Sequence, residues 1–138
     1  MKMQFHINGG DFVNAGKASS QVKGVLKKLN VEQKLIKRVV VALYETEVNV
    51  AAHAHEGDIE VEISENEITI VVSDKGPGIV DIEKAMQVGF STATKEVREM
   101  GFGAGMGLAN IKKNSDSFHI ESVPGKGTIV KLANTLTN

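Results

Sequence analysis

The sequence contains no cysteine among its 138 residues. This absence excludes a disulfide framework and any zinc site built from thiolates, and it agrees with a reducing compartment. We therefore expect a cytoplasmic protein that depends on ordinary packing for its stability.

An excess of charge of one sign is also missing, because 16 Lys and Arg nearly balance 17 Asp and Glu, which leaves a formal net charge of -1. Such a chain has no field that would draw it onto nucleic acid or an anionic membrane. The segment from Met1 to His6 and the sequence behind it lack an apolar run long enough for a signal peptide or a membrane span. We expect a soluble protein without nucleic-acid or membrane partners, one that recognises other proteins through local contacts.

The length favours a single domain over residues 1–138. A strand is predicted through Ile7, and apolar residues at helical spacing predict an amphipathic helix over about 12–29. A second, longer helix is expected to run towards His55, with Asn30 and Gln33 as its capping pair.

The remainder of the sequence alternates between strand and helix patterns. Residues 59–63 and 68–72 alternate apolar and polar side chains, which predicts an antiparallel hairpin with one buried face. A short helix is expected after Asp81, another behind the glycine cluster, and two last strands over 118–123 and 128–132. This order favours an α+β two-layer sandwich, with helices packed on one face of a mixed, mostly antiparallel sheet.

Three polar side chains share one face of the predicted long helix. Glu45, Asn49 and His53 stand at positions i, i+4 and i+8. At the edge of a core, a carboxylate and a carboxamide need each other, water or a metal-bound ligand as partners, so a plain hydrogen-bonded pair and a ligand site both stay open. His53 is expected to be structural. Glu47 points away from this face, and we expect it to meet solvent or a partner protein.

The segment Asp74-Lys75-Gly76-Pro77-Gly78 follows an apolar strand directly. A carboxylate at a strand end can accept a proton from the amino group of adenine, whereas it would repel the carbonyl oxygen of guanine. Glycines beside it would let a flat base lie against the backbone. A tight turn without any ligand explains the same residues.

A third cluster, over residues 101–108, places glycine at every other position and opens directly into a helical pattern. Bare backbone and the free N–H groups of a helix start suit polyphosphate binding. No Gly-Lys-Ser/Thr sequence closes the cluster as in a P-loop, and no βαβ unit surrounds it as in a Rossmann fingerprint. A simple hinge is the alternative.

The order of these motifs, followed by Gly127-Thr128, resembles the N box, G1 box, G2 box and closing Gly-Thr of the GHKL superfamily of ATPases and kinases. The resemblance covers about residues 39–132, and four motifs in the same order are more specific than any one. It implies the Bergerat fold. The short chain and the segment Val88-Gly89-Phe90-Ser91-Thr92 are most similar to the anti-sigma factor serine/threonine kinases.

The resemblance implies roles for matching residues. Asn49 would contact ATP and ligate Mg²⁺, and Asp74 would bind adenine with help from the Thr128 hydroxyl. Glu45, one helical turn before Asn49, would accept the proton of the attacking hydroxyl during phosphoryl transfer.

A mobile lid over the nucleotide is expected at about residues 89–107. Two of its cations, Lys95 and Arg98, would neutralise charge on the γ-phosphate. The other implied nucleotide contacts lie around the base and the phosphates: Gly76, Gly78, Ile79, Gly101, Gly103, Gly105, Met106, Gly107 and Leu108.

The function implied by this resemblance is ATP-dependent phosphorylation of serine or threonine on a small antagonist or scaffold protein, with a sigma factor as a possible further partner. Two alternatives remain: a nucleotide-dependent binding module without phosphoryl transfer, and the ATP-binding half of a histidine kinase. The first helix and first strand could also form a homodimer face.

Overall fold

The computed structural model describes residues 1–79, 81–86 and 107–137. Its elements are β1 (Lys2–Asn8), α1 (Lys17–Lys28), α2 (Gln33–His53), β2 (Glu56–Ile63), β3 (Glu67–Lys75), α3 (Ile82–Ala85), α4 (Gly107–Lys113), β4 (Ser117–Val123) and β5 (Gly127–Thr135). Five strands form one sheet in the order β1-β2-β3-β5-β4. The predicted α+β class is confirmed. A mixed sheet was expected, but all four pairings between the described strands are antiparallel.

The core lies between one face of the sheet and the helices. Along β2 the apolar residues Ile59, Val61 and Ile63 are buried, while the acidic residues between them are exposed. This alternation follows from the two-residue period of a strand, and it continues through β3 and β5. α2 packs on α1, on α4 and on the sheet. Within the described ranges, no helix is both long and apolar enough to cross a bilayer.

The first helix begins later than predicted, at Lys17 rather than near Phe12. Asp11 explains the delay, because its carboxylate accepts hydrogen bonds from the backbone and side-chain nitrogens of Asn14, at 3.3 and 2.7 Å. Such local bonds give the backbone an alternative to helix formation. Gly16 then precedes α1 with a φ of 103°.

The prediction that Asn30 caps the second helix is wrong. Asn30 ends α1 instead: its φ is 58°, its N–H donates to Lys27 O, and the N–H of Val31 donates to Leu26 O. These two bonds and a left-handed residue form a Schellman motif, for which asparagine is suited. α2 starts behind Glu32, which makes no side-chain capping bond.

The expectation that Glu47 meets solvent or a partner protein is also wrong, since only 1% of this residue is exposed. Its Oε1 accepts a hydrogen bond from the Ala18 N–H at 2.7 Å, and its Oε2 accepts one from the Ser19 N–H at 3.2 Å. Gly16 offers no side chain to cap α1. The carboxylate of α2 therefore satisfies the free N–H groups and the positive end of the neighbouring helix.

A polar cluster fixes the turn after α4. Asp116 Oδ1 accepts a hydrogen bond from Arg38 of α2 at 2.7 Å, and its Oδ2 accepts one from the Thr135 N–H at 2.8 Å. The buried side chain of Asn134 accepts from the Asp116 N–H at 2.6 Å and donates to Asn114 O at 2.8 Å. These bonds join α2, the end of α4 and β5.

We expect Glu47→Ala to lower the free energy of unfolding by about 2–3 kcal/mol, because two buried N–H groups lose their acceptor. Urea unfolding followed by circular dichroism measures this loss. Glu62→Ala on the exposed side of β2 is the matched control and should change stability by no more than about 0.5 kcal/mol. Equal effects of the two substitutions would contradict the capping role.

Asp116→Asn should destabilise the protein at neutral pH by no more than about 1 kcal/mol, since the ion pair is partly exposed. The Thr135 N–H and the Arg38 guanidinium lower the pKa of Asp116 below its ordinary 3.8. The stabilisation from its charge is therefore complete above that ordinary pKa and is lost as the pH falls through the lower folded value. Urea titrations across acidic pH should show the two proteins converging, and a constant difference would argue against this assignment.

Candidate functional site

One row of residues crosses four adjacent strands on the helix-covered face of the sheet. Gly57 pairs with Asp74, Asp74 pairs with Thr128, and Thr128 pairs with Ser122. Cross-strand partners share a face, so these residues continue the side of the sheet that carries Val72 and Val130. The apolar core thus ends in a polar row, which we call the Asp74 row.

The Asp74 carboxylate is half-buried in this row. Its Oδ1 accepts a hydrogen bond from the Thr128 N–H at 3.1 Å. Removal from water raises the pKa of Asp74, and the Thr128 bond offsets only part of that rise. Within the described ranges, the structure gives Oδ2 no hydrogen-bond partner. This oxygen can accept a bond from a ligand.

Ser122 links the row to the segment behind β3, and the sequence analysis did not single it out. Its Oγ accepts a hydrogen bond from the Ile79 N–H at 2.7 Å, and it lies 2.8 Å from Thr128 Oγ1 and 3.1 Å from Gly127 O. The predicted hairpin over 118–132 could have identified it, because pairing across the Pro124-Gly125-Lys126-Gly127 turn brings it opposite Thr128.

A second polar cluster lies where α2 meets the start of α4. A methyl group added to Gly107 would lie 3.7 Å from Asn49 Oδ1 and 3.7 Å from Glu45 Oε2. The predicted shared face of Glu45 and Asn49 therefore opens towards the first residue of α4. Both distances are ordinary van der Waals contacts, so the first residue of α4 lies beside both oxygen atoms without crowding them.

Burial raises the pKa of Glu45, and a hydrogen bond from the Asn110 side chain opposes part of that rise. Asn110 was not identified from the sequence. It stands three residues after Gly107, so helical periodicity brings it to the same face of α4. The sequence shows this spacing, but it does not show that Asn110 would find its partner on α2.

The two clusters approach each other at Gly57. A methyl group at this position would lie 2.8 Å from Val50 Cγ1, on the residue after Asn49, and 3.3 Å from Asp74 Cβ. Contacts this close require movement of a neighbour. The bare backbone of Gly57 therefore lets α2 pack down onto the Asp74 row.

The two glycines behind Asp74 are held against protein backbone. A methyl group on Gly76 would lie 3.0 Å from Ala54 Cα, and one on Gly78 would lie 2.5 Å from Val123 O. Gly78 also has a φ of 73°. The turn interpretation of this motif therefore accounts for both glycines, and the same turn places Ile79 beside Ser122.

The structure brings together the predicted residues Glu45, Asn49 and Gly107 at one cluster and Asp74, Ile79 and Thr128 at the other. Leu108 is 8% exposed and packs in the core. Several predicted residues lie outside the described ranges, as does the predicted lid up to 106: Lys95, Arg98, Gly101, Gly103, Gly105 and Met106. Among the described residues, no group of three or more His, Asp or Glu could hold a metal ion.

Comparison with known proteins matches residues 11–133 to the model of the histidine kinase-like ATPase domain. An anti-sigma F factor of Caldanaerobacter subterraneus is 42% identical over 96 residues, which are 66% of this chain and 64% of that protein. The serine/threonine-protein kinase RsbT of Bacillus subtilis is 35% identical over 98 residues, 68% of each chain. The chain thus matches less than two thirds of the length of the anti-sigma F relative.

Two solved structures share the fold. One is the crystal structure of a SiaB–SiaC complex from Pseudomonas aeruginosa, with a TM-score of 0.59 and 12% identity over 96% of this chain and 89% of that chain. The other is the mycobacterial sensor histidine kinase MprB, with a TM-score of 0.52 and 19% identity over 72% of this chain and 71% of that chain. At such identities the likeness concerns the fold alone.

We expect Gly78→Ala to destabilise the protein more than Gly125→Ala does. Both glycines have positive φ, at 73° and 81°, but only Gly78 is crowded by Val123 and Pro124. The unfavourable φ should cost each variant about 1–2 kcal/mol, and crowding should add about 1–3 kcal/mol at Gly78 alone. Urea unfolding of both variants gives the difference, and equal losses would show that the turn yields without cost.

Proposed function

The chain belongs to the histidine kinase-like ATPase domain family, and we propose that it is an ATP-dependent serine/threonine protein kinase. Its substrate in this proposal is a small antagonist or scaffold protein in an anti-sigma or stress-signalling circuit. Membership of an ATPase family implies that the pocket binds ATP.

The observation that carries the proposal is the position of Glu45 and Asn49 opposite Gly107. One carboxylate oxygen and one carboxamide oxygen lie on the same face of α2. Each is 3.7 Å from the position that a methyl group on Gly107, the first residue of α4, would occupy. Gly107 places no side chain beside these oxygens, so none would stand in the way of phosphate groups bound next to them. A base and a ligating oxygen one helical turn apart suit transfer of the γ-phosphoryl group.

Glu45 takes the role of general base. Its carboxylate accepts the proton of the serine or threonine hydroxyl while the hydroxyl oxygen bonds to the γ-phosphorus and the bond to the ADP oxygen breaks. Burial raises the pKa of Glu45, and a carboxylate with a higher pKa is a stronger base. The Asn110 side chain holds the carboxylate in place from α4.

Asp74 recognises the adenine base at the other cluster. Its Oδ1 is engaged by the Thr128 N–H, which leaves Oδ2 to accept a proton from the adenine amino group. Guanine would direct a carbonyl oxygen at the same carboxylate and be repelled. Ile79 and the glycines before it would contact the base.

Asn49 would supply one side-chain oxygen to Mg²⁺. Magnesium commonly takes only one or two protein ligands and fills its octahedron with phosphate oxygens and water. Glu45 and Asn49 are only partly buried, and both of their oxygens lie at the start of α4, which suits that arrangement. When bound, the ion would neutralise charge on the phosphates.

A small protein partner is supported by the names of the relatives, an anti-sigma F factor and the kinase RsbT. A sigma factor is a further candidate partner. A homodimer through β1 and α1 belongs to the same proposal, and the position of β1 at an edge of the sheet supports it.

We expect Glu45→Gln to lower the rate of phosphoryl transfer about 10²–10⁴-fold and to leave the affinity for Mg·ATP nearly unchanged. The protein is incubated with γ-labelled ATP, Mg²⁺ and the small proteins encoded beside it, and acid stability of the labelled product is recorded. Glu60→Gln on the open face of β2 is the matched control and should retain transfer. Calorimetry measures nucleotide affinity in parallel.

The outcomes separate three functions. Acid-stable label that disappears in Glu45→Gln supports the kinase, and unaltered transfer in that variant removes the role of Glu45. Nucleotide-dependent binding of a partner without transfer indicates a binding module instead. Acid-labile label on the partner indicates a phosphohistidine, and so the ATP-binding half of a histidine kinase.

A further inference from the structure

We propose that Ser122 is a positioning residue that turns the Thr128 hydroxyl proton towards the purine ring of the bound nucleotide. The inference rests on the proposed ATP site and deepens it, because it names the group that completes base selection. Ser122 itself stays behind Thr128 and acts through it.

The hydrogen bonds of Ser122 allow only two arrangements. A hydroxyl has one proton to donate and two lone pairs to accept with. The Ile79 N–H, at 2.7 Å, occupies one lone pair. The Ser122 proton can then go to Thr128 Oγ1 at 2.8 Å or to Gly127 O at 3.1 Å.

The two arrangements give the Thr128 hydroxyl opposite hydrogen-bonding roles towards a ligand. When Ser122 donates to Thr128, the Thr128 proton is free to donate elsewhere. When Ser122 donates to Gly127 O, Thr128 donates to Ser122 and offers a ligand only lone pairs. Towards a ligand, the Ser122–Thr128 pair thus acts as a donor or as an acceptor, depending on where the Ser122 proton goes.

Adenine matches only the donor arrangement. Its amino group would bond to Asp74, and the neighbouring ring nitrogen, N1, is an acceptor that requires a donor. Guanine carries a proton at N1 and requires an acceptor there. Thr128 lies directly beside Asp74 in the row, so its hydroxyl can meet N1, directly or through one water.

The same contact links base selection to the chain behind β3. By accepting the Ile79 N–H, Ser122 fixes the residue that follows the Asp74 turn, on the way to α3. Ser117, on the same strand, has the opposite parity and is exposed on the open face. It therefore serves as a matched control.

The test measures the preference for ATP over 1-deaza-ATP, in which a C–H group replaces N1. Calorimetry with Mg²⁺ present should give a wild-type preference of about five- to tenfold, the value of one hydrogen bond. Ser122→Ala should reduce this preference by weakening ATP binding, because the Thr128 hydroxyl remains but is no longer oriented, while Ser117→Ala should retain the full preference. In a Thr128→Val background, Ser122→Ala should cause no further loss.

A second pair of variants separates positioning from packing. Ser122→Thr keeps the hydroxyl and Ser122→Val replaces it with a methyl group of similar shape, so only Ser122→Thr should retain the full preference. This pair decides the question if Ser122→Ala does not fold. An unchanged preference in Ser122→Val or Ser122→Ala overturns the inference and leaves the ATP site intact. A wild-type protein that binds both nucleotides equally has the same consequence. Absence of any Mg·ATP binding to the wild type would instead remove the proposed function itself.

Discussion

The register between β3 and its two neighbouring strands is the constraint on which the core and the site both depend. It places Asp74 level with Gly57 and Thr128, on the same face as Val72 and Val130. A slip of one residue would move every side chain of the strand to the other face. Asp74 would then face water, and the apolar residues before it would leave the core. The energy that buries the core therefore also holds the carboxylate in its half-buried position.

α2 fixes the other side of the site because it is held on several of its faces at once. Glu47 bonds the start of α1, Arg38 bonds Asp116 behind α4, and Val50 packs at Gly57. These contacts surround the face of Glu45 and Asn49 without using it. Side chains on a helix held in this way keep their relative positions with little reorganisation, which is what positioning of a phosphoryl group requires.

The sequence predicted those features that depend on local periodicity. The strand and helix pattern, the shared face of Glu45 and Asn49, and the place of Asp74 at a strand end all follow from periods of 2 and 3.6 residues. Features that depend on a distant partner were missed or misread. Glu47 finds its partners in another helix, and Asn110 finds its partner on α2. Whether Asn30 caps the second helix or ends the first depends on hydrogen bonds to carbonyls of the first helix.

Burial of a carboxylate does not by itself indicate chemistry, as a comparison within this chain makes clear. Glu47 is almost fully buried, but both of its oxygens accept backbone hydrogen bonds, so its charge is accommodated by the fold. Asp74 is buried less, yet among the described residues only one of its oxygens has a partner, and its pKa is raised. The pKa of Glu45 is raised in the same direction, with a single side chain opposing the shift. A carboxylate left partly unsatisfied costs folding energy that a ligand can offset on binding. For this reason the proposed chemistry belongs to Glu45 and Asp74, at the two ends of the site, whereas Glu47 belongs to the fold.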